Sequence, residues 1–398
     1  MPAEWLALSD DLTGGLEVGA KFASRGFETA VIPLAQFPAG PTHATARVLV
    51  ICTETRHVPP LEAMKIVAGL AAAARAAGIR HLFKKTDSAM RGNIGAELEA
   101  IAGVFPGEPI LFAPAYPHFG RTVKDACLFV DGIPLHGTPF ARDPLNPAVS
   151  CHIPALLAAT GWDLPLLAFR EFPGSPLPGS ALLLLDAWSE DDSRSAAAAY
   201  FASGKLRIAA GPAGFAGHLA DCFAGVSAGI APGPRLQSCL VVNGSLHEIS
   251  CDQVEVARNE GWPICDPTDA AHKLRSGQWV ILRNRAKKSP GGLEWARETG
   301  ETVCTILREA SIDGVAVFGG DTAQGILRAM GSPPLYPIRE VIPGIPLSRI
   351  SRPGVQNFPG GERKDIFLIS KAGSFGDPDA LIRVRRMLTA NVRAEEID

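Results

Sequence analysis

Two adjacent carboxylates, Asp10 and Asp11, end the apolar run in "EWLALSDDLTGG", and Thr13, Gly14 and Gly15 follow. Neighbouring carboxylates at a strand end repel each other unless a cation, a donor or a proton is shared between them. Either one is therefore a candidate general base or metal ligand, and either could simply cap the helix that follows. A second cluster, "KKTDSAMRGNIG", puts Lys84, Lys85, Asp87 and Arg91 into eight residues, with Asn93 close behind. It lies between the apolar "IRHLF" and the helical pattern "AELEAIAGVF". Arg91 offers a bidentate fork to a carboxylate, each lysine offers a compact charge, and Asp87 can accept from a hydroxyl. The group reads as an anion clamp. The plain alternative is a solvated loop whose ion pairs are worth about 0–1 kcal/mol each.

Three further turns follow apolar runs in the second half. "VAVFGGDTAQG" ends a strand at Gly319 and Gly320, and Asp321 and Thr322 open a helix. Helix-start N–H groups can hold a phosphate, and glycine lets the phosphate approach. "IFLISKAGSFGDPDAL" runs into Lys371, Gly373, Ser374 and Gly376, with Asp377–Pro378 expected to start a helix. "CLVVNGSLHEIS" places Asn243, Gly244 and Ser245 at a similar junction. One such turn is ordinary punctuation between strand and helix. Three in one half suggest a nucleotide rim.

The elements that must position these groups are read from the alternation of strand-like runs and helical patterns along the chain. That alternation predicts α/β layers with mainly parallel sheets. A Gly-, Pro- and Ser-rich break, "VSAGIAPGPRLQS" (226–238), reads as a linker. It divides the 398 residues into an expected domain 1–228 and a domain 229–398. Such sheets bind ligands beyond the carboxyl ends of their strands, so the two domains are expected to face a shared cleft. The final "VRAEEID" is expected to fray. A formal net charge of -3 supplies no basic field for nucleic acid. No apolar run reaches the ~18 residues of a membrane span, and the first residues lack the pattern of a signal peptide, which predicts a cytoplasmic protein. The eight cysteines form no Cys-x-x-Cys, so no zinc or thioredoxin-type site is supported and no metal ligands can be named. The P-loop, the dinucleotide fingerprint, the nucleophile elbow and the His-Glu-x-x-His helix are all absent from the sequence.

The segments "DDLTGG", "KKTDSAMRGNIGAEL", "HGTPFARDPLNPAVS", "FGGDTA", "IPGIP" and "SKAGSFG" occur in the order found in the four-carbon acid sugar kinase family, which the chain resembles from about residue 5 to residue 385. The resemblance implies a non-P-loop kinase with two α/β domains, an N-terminal one for a sugar acid and a C-terminal one for ATP. Its substrates would be acids such as threonate, erythronate or 3-oxo-tetronate, phosphorylated usually at the terminal hydroxyl. Carried over, the acid rim falls on Asp10, Asp11, Lys85, Asp87, Arg91 and Asn93, with Arg91 expected to take the carboxylate. The nucleotide rim falls on Ser245, Gly319, Gly320, Asp321, Thr322, Lys371, Gly373 and Gly376. Asp10 or Asp11 would orient or accept the hydroxyl proton, Mg²⁺ would bridge the ATP phosphates, and Lys85 or Lys371 would stabilise developing charge. The chain departs from the family at Gly14–Gly15, Glu17, Ser374 and Ala89–Met90; the last removes a threonine hydroxyl beside the acid rim, a change that bears either on the acid taken or only on the helix cap. A small-molecule acid is the expected partner, and self-association into a homo-oligomer is compatible with the pattern. Two rival readings use the same alternation: an NAD(P)-dependent sugar-acid dehydrogenase and a non-catalytic sensor of a sugar acid or nucleotide.

Overall fold

Every residue of Trp5–Ser9 (β1) is buried, as in a strand covered on both faces of a parallel sheet. The computed structural model describes residues 3–37, 45–169, 180–224, 233–283, 292–350 and 365–389. The chain divides into two units, Met1–Gly229 and Ile230–Asp398. Residues 226–232 of the expected linker, the 228/229 boundary within it and the terminal 392–398 lie outside the described residues.

In the first unit β1 leads to α1 (Leu12–Ala23), β2 (Thr29–Pro33), β3 (Val48–Cys52), α2 (Pro60–Ala76), β4 (His81–Lys85), α3 (Ile94–Val104) and β5 (Ile110–Phe112). A ribbon of β6 (Arg121–Lys124), β7 (Cys127–Val130) and β8 (Ile133–Pro134) follows, then α4 (Ile153–Ala159), β9 (Leu166–Ala168), β10 (Leu182–Leu184), α5 (Glu190–Ala202), β11 (Ile208–Gly211) and α6 (Ala213–Ala224). The main strands lie in the order β2-β3-β1-β4-β11-β5-β10-β9, and every pair is parallel. From β1 the chain moves outward through α1 to β2. From β3 it crosses back past β1, through α2, to β4. Right-handed crossovers in opposite directions send their helices to opposite faces. Accordingly α1 and α5 pack against α6, whereas α2 and α4 pack against α3. The reversal falls at β1, where an open α/β sheet has its ligand crevice. The register aligns Ser9 with both Cys52 and Lys85, so the segments after these three residues leave the sheet side by side.

The ribbon is antiparallel and was not expected from the alternation of elements. Its turns at Asp125–Ala126 and Asp131–Gly132 have positive φ at both residues, the type I′ geometry that suits a hairpin.

The second unit contains β12 (Cys239–Asn243), α7 (Glu248–Asn259), β13 (Ile264–Cys265), α8 (Pro267–Arg275), β14 (Trp279–Leu282) and α9 (Gly292–Glu309). It continues with β15 (Gly314–Phe318), α10 (Gly320–Ala329), β16 (Leu335–Ile342), β17 (Ile345–Ile350), β18 (Ile366–Lys371) and α11 (Ala380–Thr389). The strand order is β13-β14-β12-β15-β18-β17-β16, parallel as far as β18 and antiparallel beyond it. Its core joins Trp262 and Trp279, packed edge to face at 5.7 Å, with Phe318, Leu347 and Ile369. The last helix begins at Ala380, later than the expected Asp377–Pro378 start. Those two residues form the turn before it, and the Ala380 N–H donates to the Asp377 carbonyl at 3.0 Å. Among the described residues no helix is long and apolar enough to cross a membrane.

Candidate active site

The repulsion between Asp10 and Asp11 is relieved by Arg56, which stands just past the end of β3. Its Nε donates to Asp10 Oδ2 at 2.7 Å and its Nη2 to Asp10 Oδ1 at 3.1 Å. The same Nη2 lies 3.1 Å from Asp11 Oδ1 and 3.7 Å from Asp87 Oδ2. Burial alone would raise the Asp10 pKa, but Arg56, Lys84 and Lys85 hold it below the usual carboxylate range. The two acids differ in access: the Asp10 side chain is 2% exposed and the Asp11 side chain 23%. Asp11 also caps α1, accepting the Gly14 N–H at 3.1 Å.

The loop after β4 is organised by Asp87. Its Oδ1 accepts from the Ala89 N–H at 2.9 Å, the Arg91 N–H at 3.3 Å and Arg91 Nε at 3.0 Å, and its Oδ2 accepts from Arg91 Nη2 at 2.7 Å. Burial opposes its ionisation, yet Arg91 and Arg56 hold the carboxyl far below its ordinary range. Arg91 thus has its fork closed on Asp87, while its Nη1 lies 3.6 Å from Asp143 Oδ2. The expected carboxylate clamp is therefore an internal ion pair in this structure. Asn93 donates through Nδ2 to the carbonyls of Thr55 and Val58, both at 2.8 Å, and so fixes the segment that carries Arg56. Gly92, with φ of +88°, lies against the same group: a Cβ there would be 3.2 Å from Arg56 Cγ and 3.3 Å from Asp10 Oδ2.

The two lysines differ in surroundings. Lys84 is fully buried, with Nζ 2.9 Å from Glu97 Oε2. Lys85 donates to the Thr86 carbonyl at 2.9 Å and points toward the start of α1. A Cβ on Gly14 would sit 2.6 Å from both Lys85 Nζ and Asp11 Oδ1. Asp10, Asp11, Lys85, Asp87, Arg91 and Asn93, the residues expected to form the acid rim, are thus brought together in one place. Arg56 was missed, although it follows the strand beside β1. Asn146, whose Oδ1 accepts the Gly92 N–H at 3.2 Å, was also missed, within the quoted "HGTPFARDPLNPAVS".

In the second unit the register aligns Asn243, Phe318 and Lys371, so the three glycine turns also adjoin. The Gly244 N–H donates to the Phe318 carbonyl at 2.9 Å, and the Gly319 N–H to the Lys371 carbonyl at 3.0 Å. A Cβ on Gly244 would lie 1.8 Å from Thr322 Oγ1, and one on Gly373 would lie 2.3 Å from Ser245 Oγ. Gly319, at φ of +107°, stands between β15 and α10, and no side chain caps the helix. The first N–H groups of that helix lack intrahelical partners, the arrangement that takes phosphate oxygens. Asp321 is exposed in its first turn and Thr322 is buried. Gly376, at φ of +81°, completes the third turn.

Lys371 is fully buried beneath these turns. Its Nζ donates to Ser250 Oγ at 3.0 Å and to the carbonyls of Ala372, Gly373 and Phe375 at 2.9, 3.2 and 3.1 Å. Burial brings its pKa down to about 7. It shapes the loop from below. Among the described residues no group of three His, Cys, Asp or Glu side chains is placed to hold a metal ion. The turns fit a phosphate chain, and a divalent ion would be carried chiefly by the phosphates themselves.

Comparison with known proteins places the chain in a family. Residues 5–219 match the model described as a sugar-binding N-terminal domain, and residues 280–381 match that of a nucleotide-binding C-terminal domain. A D-threonate kinase of Cupriavidus necator is 31% identical, with 97% of this chain and 98% of the relative covered. The chain belongs to the four-carbon acid sugar kinase family. Another family member, the D-threonate kinase of Bordetella bronchiseptica, is 29% identical over 96% of both chains. Membership makes the chain a phosphotransferase with an alcohol group as acceptor. The family fold is also seen in a crystal structure of a Salmonella typhimurium LT2 protein, with a TM-score of 0.74 at 20% identity over 96% of this chain and 98% of that one.

Proposed function

We propose that the protein transfers the terminal phosphoryl group of ATP to a hydroxyl of a four-carbon sugar acid, with threonate first among the candidates. The observation that carries this reading is the cluster at the carboxyl ends of β1, β3 and β4, where Arg56 ties Asp10 and Asp87 down and leaves Asp11 the more exposed acid. Near full-length similarity to two D-threonate kinases supports the choice of acid.

Phosphoryl transfer depends mainly on positioning and charge stabilisation. Asp11 is assigned the acceptor's hydroxyl proton, because a base must be reachable by substrate. Asp10 and Arg56 hold its position, and Lys85, beside it, stabilises negative charge at the reacting oxygen. The turns at Asn243–Ser245, Gly319–Thr322 and Lys371–Gly376 are assigned to the nucleotide phosphates, with Lys371 keeping the last of them in shape. Mg²⁺ carried on the nucleotide would offset charge on the phosphate oxygens.

The test is ADP release with Mg-ATP across both threonates, both erythronates and a 3-oxo-tetronate. Release that depends on one acid and is lost in Asp11→Asn supports the reading. Turnover by Asp11→Asn at the wild-type rate would remove Asp11 from the base role. No release with any acid would remove the substrate class.

A further inference from the structure

Arg121 opens β6 at the base of the ribbon and is only 9% exposed. Its backbone is fixed from both sides: the Tyr116 N–H donates to its carbonyl at 2.7 Å, and its own N–H donates to the Tyr116 carbonyl at 3.1 Å. Tyr116 in turn donates its hydroxyl to Glu17 Oε1 on α1, at 2.8 Å, which ties the ribbon to the helix that Asp11 caps. The backbone that carries the guanidinium is thus held in place by the fold.

Its chemistry is incomplete. One donor, Nη1, bonds the Phe119 carbonyl. The buried Nε has no hydrogen-bond partner among the described residues. Among the same residues, no carboxylate forms an ion pair with Arg121 within 4.0 Å. Burying a guanidinium without a counter-ion is costly, and such a group normally has a carboxylate or phosphate to receive its fork.

The surroundings indicate which anion. Arg121 lies 5.9 Å from the centroid of the Phe140 ring, and Arg91 lies 5.6 Å from the same ring. Both arginines therefore lie near one aromatic ring. Arg91 is already neutralised by Asp87 in a two-point ion pair, whereas Arg121 is not. Burial lowers the Arg121 pKa, and the charges of Asp131 and Asp87 only partly restore it. A small carboxylate seated beside the Phe140 ring would receive the Arg121 fork and complete the set.

We infer that Arg121 anchors the carboxylate of the acceptor acid, while Arg91 and Asp87 shape the loop beside it. This rests on the reading of the first unit as the sugar-acid site. It gives the ribbon a task in recognition and moves the anion fork from Arg91, where the sequence placed it, to a residue outside every motif quoted above.

The experiment compares wild type, Arg121→Met and Arg121→Lys, with the reactive acid and with threitol, the neutral polyol lacking the carboxylate. Acid binding and nucleotide binding are followed by calorimetry and turnover by ADP release. Arg121→Met is expected to raise the KM for the acid about 100-fold, the scale of a lost charge-assisted hydrogen-bond pair. The kcat should change by only about threefold and nucleotide affinity should not move, the signature of lost ground-state binding, and whatever threitol turnover wild type shows should be matched by the variant. Arg121→Lys keeps the buried charge and guards against a folding defect; its acid KM should rise about tenfold, since the fork is lost. Wild-type acid affinity in a folded variant that still binds nucleotide overturns the assignment of Arg121 and leaves the kinase reading intact. A wild-type chain that neither binds nor phosphorylates any four-carbon acid overturns both.

Discussion

Arg56 spans both carboxylate oxygens of Asp10, with Nε at 2.7 Å from Oδ2 and Nη2 at 3.1 Å from Oδ1. Both side chains are largely buried, at 12% and 2% exposure. A buried pair of this kind is a weak source of net stability, but breaking it leaves an uncompensated charge. Arg56→Met should therefore lower unfolding stability by about 3–5 kcal/mol in a denaturant titration. It should also lower kcat/KM by at least about 100-fold, because Asp11 and Asp87 lose the same partner. Wild-type unfolding by this variant would mean that the pair has no structural weight.

Asp10→Asn and Asp11→Asn should separate. Loss of a positioned base costs roughly 10²–10⁴ in rate, so Asp11→Asn should show its defect in kcat with the acid still bound. Asp10→Asn removes the charge that faces Arg56 and should show its defect first in stability. Turnover near wild type in both variants would sink the base assignment for the pair.

The nucleotide rim can be tested apart from the acid rim. Gly373→Ala places a Cβ 2.3 Å from Ser245 Oγ, and Gly244→Ala places one 1.8 Å from Thr322 Oγ1. Either change should push the turns apart and cut nucleotide affinity by about tenfold or more, at a stability cost of about 1–3 kcal/mol for overpacking. Calorimetric binding of the sugar acid should be untouched. A matching loss of acid binding would argue against two separate rims.

His81 sets a stability limit on the acid side. It stacks on Trp5 at 4.5 Å and shares a 3.0 Å hydrogen bond with the Tyr200 hydroxyl. Burial, with help from Arg80 and Arg207, pushes its pKa from 6.5 down to about 4. Between these values the unfolded chain takes up a proton that the folded chain refuses. Its contribution is therefore full above pH 6.5 and is lost as pH falls from 6.5 to 4. Denaturant midpoints taken at pH 7, 6 and 5 should fall steadily in wild type and less steeply in His81→Phe. Equal slopes would show that another group sets the limit. Asp10 and Asp87, both held low, add a separate loss at still lower pH.

Parts of this were legible in the sequence. β1 and β3 are apolar along nearly their whole length because helices cover both faces of the sheet, and the charged residues after β1 and at the end of β4 stood out for that reason. What the side chains do with one another was not legible. Asp87 and Arg91 had the right types for a ligand, and the fold closes them on each other. Arg56 is a lone arginine whose partner lies 46 residues away in sequence, so no local pattern marks it. Arg121 sits in the antiparallel ribbon, where short strands on type I′ turns break the strand–helix rhythm; Asp131–Gly132 was the one available hairpin signal. The β16–β17 hairpin was hidden for a similar reason, because Pro337 and two register shifts interrupt its alternation.

Arg56 also has a dynamic consequence. Side chains beyond the ends of β1, β3 and β4 share one guanidinium, so these ends cannot fray one at a time. The Thr53 N–H, bonded to the Ser9 carbonyl at 2.8 Å, and the Thr86 N–H, bonded to the Gly211 carbonyl at 3.0 Å, belong to the same stitched edge. Their exchange with solvent deuterium should follow a common opening event, slow in wild type and independently fast once Arg56 is replaced. The edge formed by the ends of β1, β3 and β4 is in that sense a single cooperative latch.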